Sequence, residues 1–401
     1  MDRDQSRHDR CVLMDGIPYG RQNVTPADVE AVVAVLRSDF LTQGPVVPAF
    51  EHAVAQRVQA HHAVALNSAT SALHATCLAM GLGIGDTLWT SPISFVASAN
   101  CALYCGAQVD FVDIDRETFN LCPESLARKL EQAESTNSLP KIVVAVHMTG
   151  QPCDLAAIHA LSRRYGFRII EDGSHAVGAE YRGRPIGNCE FSDAVVFSFH
   201  PVKIITTAEG GMVLTNDAGL AHKVALLRSH GITRDAQRMA HEPDGPWYYE
   251  QLELGFNYRM TDVHAALGLS QLQRLDESVE VRHHLASRYA ELLAGLPISV
   301  PVQRAESRSA FHLYVIRLQL DRIDRSRREV FESMRADNIG VNVHYIPICA
   351  QPYYERMGFR RSDFPEAEAY YSEAISLPMF PTLSVEQQDR VVSSLLNALS
   401  P

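Results

Sequence analysis

Five short apolar runs, each of strand length, alternate with helical segments along this 401-residue chain. The runs are residues 63–66, 142–146, 167–170, 194–197 and 212–214. Continuous apolar runs of this length are typical of strands that are buried on both faces by crossover helices. The pattern therefore predicts an α/β fold with a mostly parallel central sheet.

The chain is too long for one core, because single cores stop growing near roughly 250 to 300 residues. A polar, proline- and arginine-rich region at residues 297–309 precedes a second group of elements. This group consists of two strands and two capped helices: a strand at 311–320, a helix opened by Ser326 with Glu329, a strand at 341–345 and a helix opened by Ser384 with Gln387. We predict a large domain at 1–275, including an N-terminal arm, and a small α+β domain at 276–401.

The first helix is predicted to begin after Thr25, where a capping residue is followed by proline and an early acidic residue. Apolar residues then recur at helical spacing, and we expect them to form a buried face. These residues are Val29, Val32, Val33 and Leu36.

Composition argues against several classes of function. A net charge of -11, with dispersed arginines, disfavours nucleic-acid binding. No apolar run approaches the roughly 18 residues of a membrane helix, and residues 1–10 are too polar for a signal peptide, so a cytoplasmic protein is expected. Among the eight cysteines only Cys101 and Cys105 form a close pair, so we predict neither a disulfide framework nor a metal site.

One of the four lysines has an unusual setting. Lys203 is the only formally charged side chain in residues 194–208, whereas Lys129, Lys141 and Lys223 lie in polar surroundings and are predicted to be solvated. Burial would lower the pKa of Lys203 and make it a nucleophile near neutral pH. A lysine that extends out of an apolar loop into solvent fits the same context equally well.

The longer segment around Lys203, residues 198–211 (SFHPVKIITTAEGG), resembles the cofactor-lysine signature of the DegT/DnrJ/EryC1/StrS sugar aminotransferases. The resemblance implies a fold-type I enzyme, like aspartate aminotransferase, that uses pyridoxal 5'-phosphate. It also implies that Lys203 holds the cofactor and moves the proton between substrate carbon and cofactor. Sugar dehydratases of this family have histidine at that position, so lysine implies amino transfer.

The resemblance extends to other cofactor-binding segments. Asp172 ends the predicted strand at 167–172, and the resemblance implies that it pairs with the pyridine nitrogen, although Asp172 by itself would favour a helix cap. His175, three residues on, is expected near the phenolic oxygen of the ring. The small-residue turn at 67–74 suits a phosphate at a helix start. The expected phosphate ligands and stacking residue are Thr70, Ser71, Ser198 and Phe95.

A further segment, residues 255–268, matches the G-x-N-x-R motif of the family. In the family this loop reaches the cofactor phosphate of the neighbouring subunit through its asparagine. The resemblance therefore implies that Asn257 is a ligand in trans and that the protein is a homodimer with shared active sites.

The remaining matches concern the substrate. Four segments, residues 17–22, 41–45, 257–272 and 343–347, together most resemble the branch that makes UDP-4-amino-4,6-dideoxy-N-acetyl-altrosamine, which implies L-glutamate as donor. The expected substrate contacts are Tyr19, Leu41, Thr42, Ala69, Ser198, Asn257, His344 and Tyr345. One position departs from the family, because Cys349 stands where many members have histidine. Three alternatives stay open: another nucleotide-sugar 3- or 4-aminotransferase, a lyase of small amino acids with the same fold, and a non-catalytic cofactor-binding regulator.

Overall fold

The structure is a computed structural model that describes residues 16–400, so the N-terminal residues on which the cytoplasmic prediction rests lie outside it. No helix among the described residues is long and apolar enough to cross a bilayer. The helices of this range are α1 (Pro26–Leu36), α2 (Val46–Val58), α3 (Ala69–Ala79), α4 (Ala97–Tyr104), α5 (Pro123–Thr136), α6 (Leu155–Tyr165), α7 (Ala218–Arg228), α8 (Asp262–Leu272), α9 (Leu275–Leu292), α10 (Arg327–Ala336), α11 (Pro352–Glu355), α12 (Pro365–Glu373) and α13 (Val385–Leu399).

The strands vary from two to five residues in length. They are β1 (His62–Leu66), β2 (Thr87–Thr90), β3 (Gln108–Phe111), β4 (Ile142–Val146), β5 (Arg168–Asp172), β6 (Glu180–Tyr181), β7 (Arg184–Pro185), β8 (Ala194–Ser198), β9 (Gly211–Thr215), β10 (Ile232–Thr233), β11 (Glu250–Gln251), β12 (Ile298–Ser299), β13 (Ser307–Arg308), β14 (Tyr314–Leu318) and β15 (Ala374–Leu377).

The central sheet has seven strands in the order β1-β9-β8-β5-β4-β2-β3. Strand β9 is antiparallel to both of its neighbours, β1 and β8. The other four pairings are parallel. All five apolar runs of the sequence are strands of this sheet, which confirms the predicted α/β class.

Side chains of the central strands alternate between two apolar layers, as the pleat requires. In β4, Ile142 and Val144 pack into the layer that contains α3, α4 and α7. Val143 and Ala145 pack into the layer on the other face, with α2, α5 and α6. Because both faces are covered, the strands can be apolar throughout, which explains the runs in the sequence.

Strands β2 and β3 did not stand out in the sequence. Each has only four residues, and each begins with a polar, incompletely buried residue, Thr87 and Gln108. Strands of this kind lack the continuous apolar run that marked the others.

A smaller antiparallel sheet, β12-β14-β15, packs with α9, α10 and α13 around a third apolar cluster. The predicted strand at 311–320 and both capped helices are confirmed, with Ser326 and Glu329 forming one capping box and Ser384 and Gln387 the other. The domain boundary at 275 stays a prediction. It coincides with the start of α9, whose early residues pack on the large core and whose later residues pack on the small one.

The predicted strand at 341–345 is wrong. Apart from one isolated bridge between Asn342 and Ser376, the segment joins no ladder. The residue just before this segment bonds to the N-terminal part of the chain, because Gly340 N donates to Ile17 O at 2.6 Å. A Cβ on Gly340 would lie 2.8 Å from that oxygen, so this close approach requires glycine.

The buried face predicted for α1 is also wrong, although the start of the helix is confirmed. Asp28 and Val35 are the residues of α1 that are buried, and Asp28 forms an ion pair of 2.8 Å with Arg274 after α8. Val29 and Leu36 are instead exposed in the single chain. Helical spacing shows which residues share a face but does not show what covers that face.

Candidate active site

A cavity of about 530 Å³ lies at the carboxyl ends of β4, β5 and β8, and residues 342–346 form another part of its wall. In open α/β sheets, ligands bind outside the carboxyl ends of the strands. Most of the predicted site residues line this cavity: Tyr19, Ala69, Thr70, Phe95, Asp172, His175, Ser198, Lys203, His344 and Tyr345.

Lys203 lies in the turn after β8, where its N–H donates to His200 O at 2.9 Å. The side chain stays partly accessible through the cavity, but protein atoms surround the amine. This burial lowers the pKa of Lys203 to about 8, although the negative charge of Asp172 acts in the opposite direction. The uncharged amine, which a nucleophile requires, is therefore more abundant near neutral pH than in a lysine with the usual pKa.

The other lysines have different surroundings. Lys129 is half-buried and forms an ion pair of 2.7 Å with Asp110, so the prediction that it is solvated is wrong. Lys141 pairs with Asp86 at 2.8 Å, and Lys223 is exposed. None of these three lines the cavity.

Asp172 ends β5 and is buried at the cavity wall. Its Oδ2 accepts a hydrogen bond of 2.7 Å from Ser98 Oγ, and its Oδ1 accepts one of 3.1 Å from Ser174 N. The Oγ atoms of Ser98 and Ser94 are in turn 2.7 Å apart. These bonds hold the carboxylate in place, where it can accept a charge-assisted bond from a protonated ring nitrogen.

The start of α3 forms another part of the wall, where Ala69 and Thr70 line the cavity, and Ser198 at the end of β8 lines the same cavity. The first turn of a helix has unpaired N–H groups and attracts anions, so this end suits a phosphate. The start of β9 packs closely behind it. A Cβ on Gly211 would lie 2.5 Å from the main chain of Ser68, which explains a glycine at this point of the motif.

Ser71, the other predicted phosphate ligand, does not line the cavity. Its Oγ donates to Asn67 Oδ1 at 2.5 Å and lies 2.9 Å from Ser68 O. Its N–H donates to the Ser68 side chain, which caps α3. The structure therefore engages Ser71 in holding the turn, and a direct role in phosphate binding stays a prediction.

Three buried histidines surround the far side of the cavity. Burial lowers the pKa of His175 and of His312 well below the usual value, and repulsion between these groups and Lys203 adds to the effect. Burial and the charge of Lys203 lower the pKa of His344 to about 4. The three imidazoles are therefore neutral at physiological pH.

Aromatic side chains also line the cavity. The ring of Phe95 is exposed on the wall, 6.3 Å from the ring of Tyr345 between centroids. Tyr19 packs on His344, with ring centroids 5.3 Å apart. An exposed aromatic ring at this place can cover a flat ligand, which fits the stacking role predicted for Phe95.

Leu41, Thr42 and Asn257 are exposed and do not line the cavity of their own chain. The structure nevertheless brings Leu41 and Thr42 into contact with the segment 255–268, which contains Asn257. Leu41 O accepts from Asp262 N at 3.0 Å, and Thr42 bridges to Thr261.

Ser98 and His312 were not singled out by the sequence. Ser98 is one of several small residues at the start of a helix, and nothing local marks it. His312 offered a weak signal, as a titratable residue at the start of an apolar strand. Both belong to the site through contacts made by folding, with Asp172 and with His175 respectively.

The residues present fit pyridoxal phosphate. One cavity is lined by a lysine with a lowered pKa, a buried carboxylate, an exposed aromatic ring, the start of a helix and a serine: Lys203, Asp172, Phe95, Thr70 and Ser198. These groups suit the aldehyde, the ring nitrogen, the ring face and the phosphate of that cofactor.

Comparison with known proteins decides the family. Residues 22–396 match the model of the DegT/DnrJ/EryC1/StrS aminotransferase family. The chain belongs to this family. As a DegT/DnrJ/EryC1/StrS member it is a sugar aminotransferase that depends on pyridoxal phosphate, as the sequence predicted.

Individual relatives cover nearly the whole chain. SpsC, a spore coat polysaccharide biosynthesis protein of Bacillus subtilis, is 38% identical over 382 residues, which are 94% of this chain and 96% of SpsC. Among solved structures, PseC of Helicobacter pylori, an aminotransferase involved in the biosynthesis of pseudoaminic acid, is 31% identical with a TM-score of 0.87, covering 96% of this chain and 99% of its own. The PLP form of the sugar aminotransferase Spr1654 of Streptococcus pneumoniae is 27% identical with a TM-score of 0.85, covering 96% and 100%.

Proposed function

We propose that this sugar aminotransferase moves an amino group from L-glutamate to carbon 4 of a UDP-linked 4-keto-6-deoxy-N-acetyl-hexose. The product would be UDP-4-amino-4,6-dideoxy-N-acetyl-altrosamine. The observation that carries the proposal is the similarity to PseC, which extends over 96% of this chain and is named for pseudoaminic acid biosynthesis. The similarity to SpsC, a polysaccharide biosynthesis protein, also supports a carbohydrate substrate. The cytoplasmic location stays a prediction.

Four side chains of the cavity and the start of α3 have a defined task in this proposal. When bound, pyridoxal phosphate supplies an electron sink for the substrate carbon that loses or gains the amine. Asp172 holds the proton of the ring nitrogen, and Lys203 both anchors the cofactor and carries a proton on Nζ between steps. Ser198 and the start of α3 hold the phosphate, and Phe95 covers the ring.

The charges of the cavity favour a second chain in the site. Of the described residues that line it, Lys203 is the only lysine or arginine, whereas Asp172 and Glu209 are acidic. A nucleoside diphosphate carries two or more negative charges and needs cationic or N–H donors. A neighbouring subunit can supply them.

The surface next to the Asn257 segment fits such a subunit. Apolar side chains that a soluble chain normally covers are exposed here: Val29, Leu36, Phe40 and Leu41, with Leu36 at 56% and Phe40 at 54%. Contiguous exposed apolar surface commonly marks a protein interface. In our proposal a homodimer covers this strip, and Asn257 of each chain binds the cofactor phosphate of the other.

Cys349, the departure from the family, bears on substrate choice. It lies in the short turn Ile348–Ala350, is 1% exposed and does not line the cavity. Within one chain, cysteine at this position therefore removes no visible sugar contact, and the altrosamine branch remains the proposal.

The proposal is tested by incubating the purified protein with cofactor, L-glutamate and a UDP-4-keto-6-deoxy-N-acetyl-hexose. We expect 2-oxoglutarate to form in equal amount to a sugar whose amine is on carbon 4, located by NMR. The Lys203→Ala variant is the control and should form neither.

Other outcomes distinguish the alternatives. An amine on carbon 3, or turnover only with a sugar on another nucleotide, would identify another nucleotide-sugar aminotransferase. Product formed from a small amino acid without any acceptor would identify a lyase. Brisk exchange between aspartate and keto acids, with every nucleotide-sugar ignored, would contradict the sugar substrate class.

A further inference from the structure

Three cysteines and one histidine lie together where α3 packs against α4. His74 and Cys77 are three positions apart on α3, and Cys101 and Cys105 are four positions apart on α4 and its C-terminal cap. Residues at these spacings share one face of a helix. Cys77 and Cys101 belong to one apolar cluster, and Cys105 packs against it. The packing of the two helices therefore gathers three thiols and an imidazole in one place.

The thiols of this group contact one another across the two helices. The side chain of Cys77 interacts with both other thiols, and Cys105 also interacts with the imidazole of His74. Cys101 has a further bond, because its Sγ donates to Ser98 O at 3.3 Å. Cys77 and Cys101 are fully buried, whereas Cys105 is partly exposed. Cys105 is therefore the thiol of the group that a reagent in solution can reach.

The neighbours of Cys105 favour its thiolate form. Interaction with Cys77 lowers the pKa of Cys105, and His74 acts in the same direction, although burial opposes both. Interaction with the two other thiols, together with burial, raises the pKa of Cys77, so Cys77 keeps its proton. The thiolate is the form of cysteine that reacts with oxidants. A partly exposed thiolate next to a second thiol is the arrangement found in redox-sensitive cysteines.

Geometry selects Cys77 as the bonding partner of Cys105. Side chains four positions apart on a helix have their Cβ atoms about 5–6 Å apart. A disulfide needs about 3.5–4.5 Å between Cβ atoms, so helical spacing disfavours a bridge between Cys101 and Cys105. Cys77 lies on the other helix, where the packing of α3 on α4 and not helical spacing determines its approach to Cys105.

We propose that Cys105 is a redox modification site, at which hydrogen peroxide drives a reversible disulfide with Cys77. The Cys105 sulfur attacks one peroxide oxygen, the O–O bond breaks, and the departing oxygen leaves as water with the proton that the Cys105 thiol has lost. The Cys77 sulfur then attacks the sulfur of the resulting sulfenic acid, the S–O bond breaks, and the oxygen leaves as a second water with the Cys77 proton. The two thiols lose two electrons, and the peroxide gains them.

The two helices that this bond would join both build the cofactor site. The first turn of α3 carries Thr70 on the cavity wall, and α4 carries Ser98, which donates to Asp172. Two thiol sulfurs must approach to about 2.05 Å to form the bond, which moves α3 relative to α4. The oxidised protein should therefore bind pyridoxal phosphate more weakly, and a dithiol reductant should restore the binding.

The first test treats the full-length protein, with cofactor bound, with hydrogen peroxide, and then blocks the free thiols and maps the peptides. We expect two peptides joined through Cys77 and Cys105, which a dithiol reductant separates. Cys122 is the internal control, because it is also partly exposed but its thiol donates to Glu124, and it should stay reduced at the same dose. The proposal is overturned if Cys105 stays reduced, bonds to another cysteine or is oxidised no sooner than Cys122.

Variants separate the two chemical steps. In Cys77→Ala the disulfide cannot form, so Cys105 should accumulate as a sulfenic acid that a 1,3-dione traps. In Cys105→Ser neither product should form, whereas Cys101→Ser, the matched control on the same helix, should form the wild-type disulfide. Equal amounts of the dione adduct in the wild type and in Cys77→Ala would mean that Cys77 does not react with the sulfenic acid, which would overturn the proposal.

Titration of cofactor-free protein measures the consequence for the site. We expect oxidised wild type to bind pyridoxal phosphate roughly threefold or more weakly than reduced wild type, as the weakening of one hydrogen bond predicts. Peroxide-treated Cys105→Ser should bind as the untreated variant does. An unchanged affinity of the disulfide form would overturn the link to the cofactor site. None of these tests uses glutamate or a sugar, so an incorrect sugar substrate would leave their results unchanged.

Discussion

Ser98 on α4 donates a hydrogen bond of 2.7 Å to the carboxylate of Asp172 at the end of β5. In Ser98→Ala the buried carboxylate oxygen loses this partner, which costs about 1–3 kcal/mol. We expect weaker binding of pyridoxal phosphate, by roughly tenfold or more, measured by titration of the cofactor-free protein. Ser91→Ala is the matched control, because Ser91 is a buried serine nearby that bonds only to the main chain of Ile93. Equal affinities of the two variants would contradict the assigned role.

Reductive methylation with formaldehyde should detect the lowered pKa of Lys203. Burial lowers this pKa to about 8, so the reactive neutral amine appears as pH rises through that value. In cofactor-free protein, peptide mapping should give a midpoint near 8 for Lys203. A midpoint near about 10.4, the reference value for lysine in model peptides, would be evidence against a desolvated amine.

The Asp172→Asn variant tests the cause of that midpoint. The negative charge of Asp172 raises the pKa of Lys203 against the effect of burial. Its removal should therefore lower the Lys203 midpoint further. A rise in the Lys203 midpoint would show that burial is not the main cause.

Arg282 on α9 stabilises the wall behind the histidines. Its guanidinium is 2% exposed and donates to the carbonyl oxygens of Phe311, His312 and Met379 at 3.1 to 3.3 Å. Burial lowers the pKa of Arg282 to about 10, so it is charged at neutral pH. We expect Arg282→Met to lower the free energy of unfolding by about 3 kcal/mol or more, because three buried acceptors lose their donor.

Urea unfolding of the cofactor-free protein measures this loss, and Arg288→Met on the same helix is its control. Arg288 pairs with the half-exposed Asp389, and such pairs contribute only about 0–1 kcal/mol. Similar losses in both variants would mean that the three carbonyl contacts contribute little.

Mixing two inactive variants tests the shared active site. Lys203→Ala and a disabling substitution of Asn257 place their defects in different halves of each composite site, so a mixed dimer has one intact site. Random pairing should restore about a quarter of the wild-type activity, since half of the dimers are mixed. If subunit exchange is confirmed and no activity returns, Asn257 serves its own chain.

Parts of the fold were predictable because local pattern and final environment agree. The apolar runs became β1, β4, β5, β8 and β9, since strands covered on both faces need no polar residues. Strands β2 and β3 were not among the predicted apolar runs, because they are short and begin with polar residues. The segment 341–345 has the composition of a strand, but it pairs with the rest of the described chain through only one isolated bridge.

The site was predictable to a similar degree. Lys203, Asp172 and Ser198 stand next to strand ends within recognisable motifs, and strand order in the sheet brings such ends together. The apolar spacing in α1 predicted a buried face, but Val29 and Leu36 on that face are exposed in the single chain. What covers such a face depends on surfaces that periodicity does not describe.

By itself the sequence determined the α/β class and the family, and it predicted Lys203 as the cofactor lysine, because each depends on a local pattern of residues. Only the tertiary structure decided the environment of those residues. It brought Ser98 to Asp172 across 74 positions and Tyr345 to His175 across 170. Hydrogen bonding, desolvation and pKa depend on distances between atoms, and distances between segments remote in the chain exist only after folding.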